Sequence, residues 1–122
     1  MSKPLIVEPL PATNHRAGAI VDGFPSVISL APRSEVMFSS VASEGDRVQV
    51  GLSALSGDAP GQVLAHYRSE FTGLGLVAAS VSTADGSSAV AFERGQSTIT
   101  VTVWSTHDGT RYTVFSVLIA GI

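Results

Sequence analysis

The chain has 122 residues, 44% hydrophobic and 14% charged, a balance that fits one compact domain and excludes a disordered chain. A formal charge of −3 with seven scattered basic residues excludes the footprint of a nucleic-acid binder. The absence of cysteine excludes disulfide scaffolds, thiolate metal sites and cysteine nucleophiles. No apolar run reaches the roughly 18 residues of a membrane span.

Residues 1–34 read as a Pro-rich extended arm, and residues 35–122 as a single α+β domain. Pro4, Pro9, Pro11, Pro25 and Pro32 interrupt short apolar groups such as Leu5-Ile6-Val7 and Ala19-Ile20-Val21. Proline removes a backbone donor and clashes with the preceding turn, so neither a long helix nor a central strand fits there. One or two edge-strand pieces are expected, with the apolar groups partly packed on the body. "MSKPLIVEPLPATN" has neither the basic n-region nor the continuous h-region of a signal peptide. The bias to Ser, Thr, Ala, Val and Gly, with one lysine against six arginines, favours an extracytoplasmic over a cytoplasmic location.

From Glu35 onward the pattern is regular. "RVQVGLS" alternates Val48, Val50 and Leu52 with polar or small residues, the period of a half-buried strand. In "GDAPGQVLAHYRSEFTGLGL" the period changes: Val63, Leu64, Tyr67, Phe71 and Leu74 fall on one helical stripe. Asp58 is placed to N-cap, Pro60 lies in the first turn, and Gly73 or Gly75 ends the helix, giving a span of about 59–73.

Four dipeptides, Glu44-Gly45, Asp85-Gly86, Arg94-Gly95 and Asp108-Gly109, separate alternating runs and read as two-residue hairpin loops. They pair Val41 with Val48, Val81 with Val90, Ala79 with Phe92, Val90 with Ile99, and Val103 with Val114, all on one face. The expected architecture is α+β: an antiparallel meander of about six strands in the order ββαββββ. One amphipathic helix covers Val48, Val50, Val81, Val90, Ile99, Val101 and Val114. Strands are expected near 35–42, 46–54, 77–83, 87–93, 97–106 and 110–119.

That register turns Thr98, Thr100, Thr102 and Trp104 outward beside Thr113, Phe115, Val117 and Ile119, with Trp104 opposite Thr113. An apolar outer patch of this kind needs a cover or a partner. The arm is the first choice of cover, self-association the second, and a ligand or foreign protein the third. The candidate interaction surface is Thr100, Thr102, Trp104, Thr113, Phe115 and Val117.

Candidate chemistry is sparse. In "VWSTHDGTRYTV", Ser105, His107 and Asp108 stand close in sequence, but a hairpin tip spreads their side chains and builds no base–orienter pair. His66 and Glu70 are spaced i, i+4 and read as a solvated ion pair on the helix flank. Gly73 and Gly75 lead from a helix into a strand, the reverse of the order that aims amides at phosphate. No catalytic, cofactor-binding or metal-binding residue is assigned, and no cofactor is expected. The function expected is a non-catalytic binding or interaction domain, exported or envelope-associated. The alternative is a soluble cytoplasmic or phage-type structural subunit that self-assembles through its apolar sheet face. Partners are a protein or a second copy, not nucleic acid.

Gly23, Phe24, Pro25, Leu30 and Pro32, followed by a strand, the Tyr67 and Phe71 helix and Gly75, are similar to the small α+β domains of actinobacterial envelope lipoproteins of unassigned function. The likeness spans residues 23–119 and touches no catalytic residue. It implies a non-enzymatic envelope domain, and the chain departs from that pattern in having no lipobox cysteine.

Overall fold

The computed structural model describes residues 6, 10, 12–25, 27–81, 87–107 and 109–120. Among the described residues seven strands and one helix are formed: β1 (Asn14–Ala17), β2 (Ser34–Glu44), β3 (Arg47–Ser56), α1 (Pro60–Gly73), β4 (Val77–Val81), β5 (Ser87–Arg94), β6 (Ser97–Thr106) and β7 (Gly109–Ile119). The strands make one antiparallel sheet in the order β1-β2-β3-β7-β6-β5-β4. The strand count is therefore seven rather than six, because the arm adds β1 beside β2. The sheet is also not one continuous meander. After β3 the chain crosses the inner face through α1 to the far edge, and β4 to β7 then wind back until β7 lies beside β3.

The hairpin loops differ from the expected dipeptides in a regular way. Glu44 pairs with Arg47 and Arg94 with Ser97, so glycine takes the first loop position, at φ 62° for Gly45 and 60° for Gly95. Thr106 pairs with Gly109, so the third loop falls between them. Each change moves the partner by two residues: Val41 pairs with Val50, Val90 with Val101, and Val103 with Tyr112. An even shift leaves every side chain on its expected face.

The fourth hairpin shifts by an odd number. Val81 pairs with Ala89, and Phe92 with Ala78 rather than Ala79. This inverts β4, so Val77 and Val81 stand on the outer face at 71% and 42% exposure, while Ala78 packs inward. Val81 is thus not under the helix. The Asp85-Gly86 dipeptide lies outside the described residues.

Helix α1 buries Val63, Tyr67 and Phe71, with Leu64 and Leu74 half-buried beside them. Asp58 does not cap it. The N-cap is Ala59, whose N–H donates to Gln62 Oε1 at 3.0 Å, while the Asp58 carboxylate turns to Arg33 at 3.4 Å. At the other end Leu76 N–H returns to Phe71 O at 3.0 Å, with Gly75 at φ 88° making the reversal. The rings of Tyr67, Phe71, Phe92 and Tyr112 meet between helix and sheet, and all four are fully buried.

The helix packs over β4, β6 and β7, and the arm closes the β2–β3 end of the same face. Val21 N–H donates to the buried Ser39 Oγ at 2.7 Å, and that hydroxyl donates to Ala19 O at 2.7 Å. Ser56 Oγ donates to Pro32 O at 2.8 Å, and Val21, Ile28 and Ala31 are buried. Residues 19–25 and 27–32 therefore lie over the helix side of the sheet.

Candidate functional site on the outer sheet face

Alternation along β6 and β7 turns Thr100, Thr102, Trp104, Thr113, Phe115 and Val117 to one side, and the register brings all six together there. Phe115 is 55% exposed, between Thr100 on β6 and Gly51 on β3. Thr102 lies across from Thr113, which in turn neighbours Ser53 and, one strand further, Phe38. Phe38 is 43% exposed and stacks on His15 of β1 at 6.0 Å between ring centroids. Ile119, expected outward with this group, is buried.

One pairing differs from expectation and matters. With the turn falling between Thr106 and Gly109, Trp104 faces Arg111 instead of Thr113. Trp104, Thr106, Arg111 and Thr113 then line an open depression of about 490 Å³. The sequence reading missed Arg111 and Thr106. The signal that would have found them is a loop placed one residue earlier, which keeps the faces and slides the partners by two.

Ser105 and His107 are exposed at the end of the β6–β7 hairpin with no side-chain hydrogen bond among the described residues, and Asp108 lies outside them. His66 does not pair with Glu70. Its Nε2 meets Ser29 Oγ at 3.1 Å, and its ring lies edge-on to Tyr67. No carboxylate orients His66 among the described residues, and the contact ties arm to helix. The same clasp continues inward. Tyr67 OH donates to Ser29 O at 2.8 Å, Ala31 N–H to Tyr112 OH at 3.3 Å, and Ser34 Oγ shares a 2.7 Å hydrogen bond with Tyr112 OH. Burial pushes the Tyr67 hydroxyl far above its ordinary range, and the neighbouring Tyr112 adds to the rise. Among the described residues no group of three or more His, Asp or Glu is placed to hold a metal ion, and no helix is long and apolar enough to cross a membrane.

No curated protein and no solved structure matches the chain. A family model described as START domain-like matches residues 34–109, from the first residue of β2 to the first of β7 and more than half of the chain. On that match the chain belongs to the START domain-like family.

Proposed function

We propose that this is a non-catalytic binding domain whose contact surface is the outer sheet face around Trp104 and Phe115. Membership in a START domain-like family supports a ligand-binding rather than a catalytic reading. The observation that carries the choice of surface is Phe115, a phenylalanine 55% exposed in the middle of a seven-stranded sheet, with helix α1 and the buried Val21, Ile28 and Ala31 of the arm on the opposite side. Apolar surface left open in this way is a contact surface in waiting. Burying an aromatic of roughly 150–250 Å² at about 25 cal/mol per Å² contributes several kcal/mol to binding.

The test uses an uncharged, environment-sensitive apolar dye such as Nile red, with Phe115→Asp as the variant. Native protein is expected to bind the dye, and the variant to lose most of that binding at unchanged melting temperature. Equal dye binding by both proteins contradicts the assignment of this face. Light scattering over a range of concentrations separates the rival reading. A defined oligomer that Phe115→Asp dissociates would make the face a self-assembly surface in place of a ligand surface.

A further inference from the structure

The depression at the hairpin end of the outer face has a chemistry of its own. Arg111 lies between Leu55 on β3 and Trp104 on β6, its two directly paired neighbours. Charged residues in a sheet gain from an opposite charge directly across, and here both cross-strand partners are apolar. Glu35, the acid in the same row, is paired with Leu55 and so stands two strands away, about 10 Å. Among the described residues the guanidinium makes no ion pair and no hydrogen bond. The indole N–H of Trp104 and the hydroxyls of Thr106 and Thr113 are likewise without a protein partner among the described residues. Donors from four side chains, that of the only tryptophan in the chain among them, thus line one depression.

We propose that this corner binds the carboxylate of an amphipathic anion, whose apolar body lies across the indole and runs along the outer face to Phe115. The inference rests on the outer face being the binding surface, and it adds the ligand's charge and polarity. The guanidinium supplies a planar pair of donors that matches a carboxylate in bidentate geometry, and Thr113 supplies a hydroxyl beside it. Arg111 and Phe115 are four residues apart on one strand face, about 13 Å, with Thr113 between them. A chain of about ten carbons covers that distance. The overall charge of −3 does not attract such a ligand, so recognition falls to this local cation in an apolar frame.

Emission from Trp104 reads the site directly. Titrations of the intact chain with sodium decanoate and with 1-decanol, repeated on Arg111→Gln, separate the head group from the chain. Wild type is expected to give saturable changes with both, with decanoate at least tenfold tighter, and Arg111→Gln to lose that preference while still binding decanol. Arg111 is exposed, and an unchanged thermal transition checks that the variant is folded. Equal affinity for the two compounds in wild type, or a preference that survives Arg111→Gln, overturns the anion inference and leaves the outer-face reading standing. If neither compound perturbs Trp104 the inference is also overturned, and the Nile red comparison on Phe115→Asp then decides the outer-face reading by itself.

Discussion

Tyr67 joins the helix to the arm, and its burial has a measurable consequence at high pH. A free tyrosine ionises near 10, whereas the buried hydroxyl stays neutral well beyond that. Below about pH 10 the group is neutral in folded and unfolded chains alike, and its contribution to stability is intact. Above it the unfolded chain binds fewer protons than the folded one, so stability falls with rising pH, by up to about 1.4 kcal/mol per unit. Tyr67→Phe is expected to lose about 1 kcal/mol at neutral pH with its hydrogen bond to Ser29 O. It should then lose on the order of 1 kcal/mol less than wild type between pH 9 and 11. Urea midpoints at both pH values check this, and identical pH dependence would contradict it. Gly109 gives a second test at this scale. Its φ of 148° lies where side chains are strained, and a Cβ there would overlap the Ser56 carbonyl oxygen of β3. Gly109→Ala is expected to lower the denaturation midpoint by more than about 2 kcal/mol of stability; a shift under 0.5 kcal/mol, the size of an ordinary surface substitution, would contradict the close approach. The sequence named Gly109 as a turn residue, but the reason it must be glycine is a contact with a strand more than fifty residues earlier, which no local pattern carries.

Among the elements, α1 was legible almost to the residue, because Val63, Tyr67 and Phe71 repeat at helical spacing and Pro60 and Gly75 punctuate its ends. Its stripe carries core energy. Phe71→Ala, which removes a fully buried ring packed on Phe92 and Tyr67, is expected to cost about 3–5 kcal/mol. Arg68→Ala on the exposed flank should cost under about 1 kcal/mol. Similar denaturation midpoints for the two variants would contradict the packing. The strand faces were legible wherever the loop error was even, as at Val41, Val90 and Val103. They were not legible at β4, where a one-residue slip sends Val77 and Val81 outward. The side on which the arm packs was hidden for a different reason. It is set by Ser39 and Ser56, whose buried hydroxyls hold Ala19, Val21 and Pro32, and in a strand pattern those serines look like solvent-facing positions.

At the scale of the molecule, helix α1 and the described residues 19–25 and 27–32 close one face of the sheet, and among the described residues the other presents Phe38, Trp104 and Phe115, with His15 stacked on Phe38. Deleting residues 1–22 removes β1 and the buried Val21. The truncated chain is expected to be less stable by at least about 1.5–3 kcal/mol, the contribution of one buried valine, with the Trp104 emission maximum unchanged. A red shift of that emission would mean that the arm covers the outer face after all. The most direct measurement of the whole account is a map of backbone amide shifts on addition of decanoate to isotope-labelled protein. Saturable shifts are expected to cluster at Thr102, Trp104, Arg111, Thr113 and Phe115, with Tyr67, Phe71, Phe92 and Ile99 unmoved. Shifts concentrated on those four inward residues would place binding between helix and sheet and contradict the assignment of function to the outer face.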